Sequence, residues 1–179
     1  MPIEIRSFQP ADVPALMAIE HDYVSEYVWQ MDVAQAEDGQ ITVTFRPVRL
    51  PRSVKVDYPR SRSRLAEERD PYSCMLVAEY EQEVVGYINM LTNISPMTTW
   101  VTDLAVMRRF RRQGIGSALV LAAQSWARSQ GSYRITLEMQ PKNHPAISLA
   151  QKLGFYFCGY NDRYFANHDI ALFFAKSVR

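Results

Sequence analysis

Apolar and polar residues alternate over residues 2–8, the period-two pattern of a half-buried strand. Gln9-Pro10-Ala11-Asp12 interrupts it, and Val13, Leu16, Met17, Ile19 and Glu20 then fit a helix with an apolar stripe and an acidic start. A second helix is expected over 22–31, with Tyr23, Val24, Tyr27 and Val28 as its inner face. Gly39-Gln40 punctuates the chain, and 41–45 alternates as a strand. Residues 46–64 carry Pro47, Pro51 and Pro59 and make a poor helix. A short helix over 63–68 closes this stretch.

From Ser73 the pattern is a meander. Strands are expected over 74–80, 84–91 and 98–106, with turns at 81–83 and at Ser95-Pro96. Such short connections favour antiparallel pairing. The next segment, 118–130, is amphipathic: Ile115, Leu119, Ala122, Ala123, Trp126 and Ala127 form its apolar stripe, and Gly131 is a natural C-cap. The strand over 133–139 is reached through that helix, so it should lie parallel to 98–106. Asn143 suits the N-cap of a helix over 145–153, ended by Gly154. Residues 155–160 and 170–178 read as a terminal hairpin, joined by a polar loop over 161–169. No repeat, linker or second domain is visible, and 179 residues suit one domain with a substantial core.

Composition adds exclusions. The aromatic share of 12% is that of a globular chain, and a formal net charge of +1 argues against nucleic acid as a partner. No apolar run reaches membrane-spanning length and no basic-then-apolar leader opens the chain, so no membrane role and a cytoplasmic location are expected. Cys74 and Cys158 are far apart in apolar runs, which suggests buried thiols rather than a disulfide; no ligand set has metal-binding spacing. Charge is nonetheless sorted. No Lys or Arg stands between Arg6 and Arg46, where Asp12, Glu20, Asp22, Glu26, Asp32, Glu37 and Asp38 fall. This acidic lobe, with Tyr23, Tyr27 and Trp29, either receives a cationic amine or is a solvated surface. The basic stretch that follows either lies near a substrate mouth or pairs with the lobe.

The chemistry concentrates at Arg111-Arg112-Gln113-Gly114-Ile115-Gly116-Ser117, between the strand over 98–106 and a helix. Glycines let backbone approach an anion, and the first amides of a helix have no partner of their own. No Lys-Ser or Lys-Thr follows, so this is not the phosphate loop of nucleotide hydrolases, and the third glycine of a dinucleotide fingerprint is missing.

Arg111, Gly114 and Gly116 carry an Arg-x-x-Gly-x-Gly pattern that resembles the pyrophosphate-binding motif of the GNAT superfamily of acyl-CoA N-acyltransferases. Leu104-Ala105-Val106 precedes it at the family's distance, Leu137-Glu138-Met139 ends the next strand, and the segment 143–155 is similar to the family's Asn-x-x-Ala-x-x-Leu-Tyr-x-Lys-x-Gly-Phe run. The likeness covers 101–155 closely; the insertion over 40–71 has no counterpart in a typical member. The resemblance implies an α+β, three-layer GNAT fold over 1–179: a mixed, mostly antiparallel sheet flanked by helices, with parallel strands splayed at the acetyl-CoA site. It implies acetyl-CoA as co-substrate and no metal. The amides of Arg112, Gln113, Gly114, Ile115, Gly116 and Ser117 would hold the pyrophosphate beside Arg111, and Leu104, Ala105 and Val106 would pair with pantetheine. Asn143 and Ala146 would lie at the pantetheine end, with Asn143 equally readable as a helix cap.

An amine must be neutral to attack, and only about one in 2,500 lysine-type amines is neutral at pH 7. A base is therefore useful. Glu138 is the first candidate, because N-terminal acetyltransferases of ribosomal proteins in this family place a proposed catalytic glutamate there; Asp103 and Glu79 follow. Ala150 stands where the family often has a tyrosine that protonates the leaving thiolate. Tyr156, Tyr160 or Tyr164 could substitute, and Tyr156 is the nominated acid. Tyr27 and Trp29 are the expected acceptor-binding residues. The expected activity is acetyl transfer to a small cationic amine; the alternatives are a protein N-terminal or lysine acetyltransferase and an acyl-CoA sensor without catalysis. A homodimer through the insertion is a further option.

Overall fold

The computed structural model describes residues 3–67 and 70–179. Its central sheet has seven strands in the order β1 (Glu4–Ser7), β4 (Ser73–Tyr80), β5 (Glu83–Ser95), β6 (Thr98–Val106), β7 (Arg134–Met139), β9 (Ala171–Ser177), β8 (Tyr156–Asn161). Only β6 and β7 run parallel, as expected for strands joined by the helix α2 (Ile115–Ser129). A separate antiparallel hairpin is formed by β2 (Tyr23–Gln35) and β3 (Ile41–Val56).

Helices cover both faces of the sheet. On one, α2 and α3 (His144–Lys152) bury Ile115, Leu119, Ala123 and Ile147 against Val85, Ile88, Val101, Leu137 and Phe174. On the other, α1 (Val13–Ala18) and a 3-10 turn (Arg62–Ala66) bury Leu16, Ile19 and Leu65 against Met75, Val77, Tyr87 and Ala105. Strand alternation explains the division. Asp103 and Ala105 point to the α1 face, together with Tyr87 and Asn89 opposite them in register.

The helix expected over 22–31 is instead β2. Apolar pairs at Tyr23-Val24 and Tyr27-Val28 imitate a helical period, but the segment is rich in β-branched and aromatic residues. A register irregularity between Ser25 and Tyr27 shifts the strand's phase and produces the false spacing. The strand at 41–45 continues through Pro47 and Pro51 to Val56. A two-stranded hairpin tolerates proline, because each strand has one bonded edge. Its basic residues pair with the acidic strand: Arg46 with Asp32 and Lys55 with Asp22, each at 3.3 Å. The helix expected over 63–68 is the Arg62–Ala66 turn, and Glu68, like Met1 and Pro2, lies outside the described residues. No disulfide joins Cys74 and Cys158, and Cys158 is exposed on β8 rather than buried.

Candidate active site

β6 and β7 separate in mid-course. They pair from Thr98–Arg134 to Val101–Leu137 and no further. β6 then continues to Val106 bonded only to β5, and β7 continues to Met139 bonded only to β9. The β7-facing edge of 102–106 is therefore left without a strand, and a gap opens between Leu104 and Leu137.

Below the gap, the turn into α2 shows how the sequence builds an anion cradle. Gly114 is its N-cap at φ +87°, a left-handed conformation that suits glycine. The helical ladder begins with the Ala118 amide on the Gly114 carbonyl at 3.0 Å, so the preceding amides face outward as a set. Arg111 does not point at this mouth. Its guanidinium turns inward, donating through Nε to the Val106 carbonyl at 2.8 Å, through Nη1 to the Asp22 carbonyl at 2.9 Å and to the Glu20 carbonyl. Burial, with Arg108 nearby, draws its pKa below the ordinary guanidinium value. Arg111 thus ties the end of β6 to the start of β2, while Arg112 is the exposed cation at the mouth.

A cavity of about 530 Å³ runs from this mouth along Leu104, Ala105 and Val106 to Asn143, Ala146 and Leu149 of α3. It brings together Leu104, Ala105, Val106, Arg111, Arg112, Gly114, Gly116, Ser117, Asn143 and Ala146 of the sequence-derived set. Asn143 caps α3, its side chain accepting from the Ala146 amide at 3.2 Å. A cavity of about 160 Å³ lies on the opposite, α1 face, walled by His21, Tyr87, Asn89, Asp70 and Arg62. A third, of about 60 Å³, occupies the gap between β6 and β7. Tyr58 lines all three, and Asp103 lines the gap and the α1-side cavity.

Asp103 accepts the Tyr58 hydroxyl proton and, at 2.8 Å, that of Thr102, which in turn accepts from Asn89 Nδ2 at 3.0 Å. Burial, reinforced by the charge of Asp103, lifts the Tyr58 pKa well above that of a free phenol. Burial also lowers the pKa of His21, which favours its neutral form. Its Nδ1 sits 2.8 Å from the Ile19 carbonyl and must donate, so Nε2 accepts from the Tyr87 hydroxyl, also at 2.8 Å.

Several expectations are corrected here. Glu138 is no open base: its side chain is fully buried and accepts from Arg60, from Trp100 Nε1 and from the Tyr164 hydroxyl at 2.8 Å. Arg60 also donates to the Thr102 carbonyl at 2.9 Å, so this ion pair bridges the two diverging strands. Glu79 pairs with Arg6 at the far edge of the sheet, at 2.8 Å. Tyr156 is exposed on β8, beside Arg134 at the opposite end of β7 from the gap, and is too remote to act as the acid. Tyr160 packs on Phe45, and Tyr164 is engaged by Glu138. Tyr27 and Trp29 line none of the three cavities. Tyr27 stacks on His144 with ring centroids 4.6 Å apart, and Trp29 meets Phe174 edge-on at 6.3 Å. The acidic lobe to which they belong spends Asp22 and Asp32 on the hairpin's own cations.

The residues that sequence reasoning missed are Tyr58, Arg60 and His21. Tyr58 and Arg60 flank Pro59 in a stretch with no periodicity and no motif; its basic character suggested a place near a substrate mouth but singled out neither residue. Among the described residues no group of three or more His, Cys, Asp or Glu is placed to hold a metal, and no helix is long and apolar enough to cross a membrane.

The family model for the acetyltransferase (GNAT) family matches residues 41–155. An N-alpha-acetyltransferase of Sulfurisphaera tokodaii is 32% identical over 148 residues, 70% of this chain and 86% of that protein. The streptothricin acetyltransferase of Streptomyces lavendulae is 29% identical over 161 residues, 87% of this chain and 82% of that protein. Among solved structures, a nourseothricin acetyltransferase superposes over the whole of both chains with a TM-score of 0.82 at 23% identity.

Proposed function

The chain belongs to the acetyltransferase (GNAT) family and is an acetyl-CoA-dependent N-acetyltransferase, and from that premise we propose that it acetylates the primary amine of a small molecule delivered from the α1 face to Asp103. The single observation that carries this reading is the position of Asp103, a carboxylate on the wall between the gap and the α1-side cavity. Acetyl-CoA would enter the larger cavity with its pyrophosphate on the amides ahead of Ala118, strengthened by the helix N-terminus and by Arg112. Its pantetheine amides would take the place of the missing strand along 104–106. The thioester would then lie in the gap.

The acceptor arrives as an ammonium ion, as any primary amine does near neutrality. Asp103 faces it in a cavity whose wall carries Arg60, Arg62 and Arg64 as well as Asp70 and Glu67, so the lining as a whole does not select a cation; Asp103, beside the gap, removes its proton. The neutral nitrogen attacks the thioester carbon, charge develops on the carbonyl oxygen, and a backbone amide at the splayed strands can stabilise it. Collapse of the adduct releases coenzyme A. A cavity of about 160 Å³, roofed by the segment that carries Tyr58, Arg60 and Leu65, favours a slender amine over a broad protein surface.

The N-alpha-acetyltransferase relative supports a second reading, in which the acceptor is the α-amine of a peptide. Release of coenzyme A from acetyl-CoA, measured against polyamines, streptothricin-type amines and short peptides, tests both. Turnover with small amines at least tenfold above that with peptides is expected. Preference for peptides would replace the small-amine reading with the second one, and inactivity toward every amine would overturn both.

A further inference from the structure

We propose that Tyr58 is the acid that protonates the departing coenzyme A thiolate, and that Asp103 reloads it with the proton taken from the amine. This rests on the acetyl transfer proposed above but goes beyond it, by assigning the acid to the segment between β3 and β4 rather than to α3 or β8. Position 150, where a tyrosine would be expected, is an alanine of α3 with no exposed surface, packed into the core. Tyr156 and Tyr160 lie on β8, and Tyr164 donates to Glu138. Tyr23, which also lines the larger cavity, donates to Gln140 Oε1 at 2.8 Å. Tyr58 alone lines the coenzyme cavity, the gap and the α1-side cavity together. It is held from two sides: its hydroxyl by Asp103, and its ring by His21 at a centroid distance of 5.1 Å.

The proton inventory closes. The ammonium's first proton passes through Asp103 to solvent; the neutral nitrogen then bonds to the thioester carbon, and as it does so an N–H bond breaks and this second proton passes to an Asp103 oxygen. The C–S bond then breaks, and its electron pair leaves on sulfur. Tyr58 O–H gives its proton to that sulfur, and the tyrosinate takes the proton held by Asp103. One proton has gone from the ammonium to solvent and one from nitrogen to sulfur, and both side chains return to their starting states. Order is built into the contact. While Asp103 is ionised, its charge and the buried setting keep Tyr58 protonated, so the phenol is a poor acid. Once Asp103 has accepted the amine's proton, the charge opposing ionisation of Tyr58 is gone. Deprotonation of the acceptor thus eases proton donation by Tyr58, against a burial penalty that remains.

The test compares two acyl donors in the full chain, using the best amine of the panel. Acetyl-CoA has a leaving group that benefits from a proton; acetyl-selenocoenzyme A has the same shape and a more acidic leaving group. With acetyl-CoA, Tyr58→Phe should lower kcat about 10²–10³-fold, the ordinary scale of general acid catalysis. Its melting temperature and its Kd for acetyl-CoA should stay near wild type. With the selenoester the loss should shrink below about tenfold, on that same scale. Asp103→Asn should lose rate with both donors, because the amine still needs a base. If Tyr58→Phe matches wild type, or loses equally with the two donors, the assignment is wrong while the acetyl-transfer reading stands. If wild type acetylates no amine, that reading falls and the relay with it. Should Tyr58→Phe fail to fold, a proton inventory of the wild-type kcat in mixed light and heavy water decides: curvature from two moving protons supports the relay, and a linear or absent isotope effect overturns it.

Discussion

Arg60 and Glu138 form an ion pair across the point where β6 and β7 part, with the Arg60 guanidinium also holding the Thr102 carbonyl at 2.9 Å. The carboxylate is fully buried and receives two further donors, Trp100 and Tyr164. Arg60 in addition lies over the Phe165 ring at 5.1 Å. A pair so enclosed costs desolvation, but removing one partner strands the other. It therefore fixes how far the strands separate.

Glu138→Ala should accordingly be a stability variant before it is a catalytic one. Loss of one member of a buried pair costs about 3–5 kcal/mol. For a chain of this size that is a fall in melting temperature of roughly 6–20 °C, at about 2–4 °C per kcal/mol. The pH dependence of kcat should keep its wild-type form. A shifted or missing limb in that profile, at unchanged melting temperature, would restore Glu138 as the base.

The two neighbouring arginines of the turn should separate by experiment. Arg111→Lys loses the fork that spans the Val106, Glu20 and Asp22 carbonyls, so both the melting temperature and acetyl-CoA affinity should fall. Arg112→Ala removes only exposed charge. It should weaken acetyl-CoA by several-fold, more at low salt than at high, and leave melting unchanged. Calorimetric titration at two ionic strengths, with thermal melting alongside, checks both.

Gly86 is needed for space. A Cβ placed there would sit 2.9 Å from the Ala105 carbonyl oxygen and 3.3 Å from Val106 Cγ2. Gly86→Ala must therefore push β6 away from β5, at about 1–3 kcal/mol for overpacking. The displaced segment is the one expected to pair with pantetheine. We expect a higher Kd for acetyl-CoA together with reduced stability, measured by calorimetry and denaturant unfolding.

His21 gives stability a pH dependence. Its folded pKa is below the unfolded value of about 6.5, because burial penalises the charged ring; Arg62 and Arg111 push the same way, while Asp103 and the Ile19 carbonyl oppose. The unfolded chain then binds more protons in that window. The stabilising contribution is present above pH of about 6.5 and is lost as pH falls through the folded value. His21→Gln should flatten the melting curve against pH below about 6.5. An unchanged slope in the variant would show that other groups set it.

The turn and the cap that frame the larger cavity were legible because local sequence builds them. Gly114 opens α2 in a left-handed conformation, Asn143 caps α3, and Leu104-Ala105-Val106 ends a strand whose apolar pattern is continuous. Each needs only neighbours within a few positions. The segment over 22–31 was misread for the same reason: with Tyr23, Val24, Tyr27 and Val28, local spacing favoured a helix, and only pairing with β3 made it a strand. The acidic lobe read either as a receptor for cations or as a solvated surface, and two of its carboxylates, Asp32 and Asp22, are paired with Arg46 and Lys55.

The sequence alone determined the order of the elements from Ser73 onward, the parallel crossing of β6 and β7 and the glycine turn between them, since turn chemistry and hydrophobic period are short-range properties. Only the tertiary structure separated the surroundings of the two carboxylates that line the gap. Glu138 and Asp103 are both acidic residues in the β6–β7 region, and nothing nearby in sequence distinguishes them. Arg60, 78 positions from Glu138, closes the first, and Tyr58, 45 positions from Asp103, holds the second at the cavity wall. Such pairings depend on the path of a segment without periodicity, which folds by packing over the site rather than by any preference of its own.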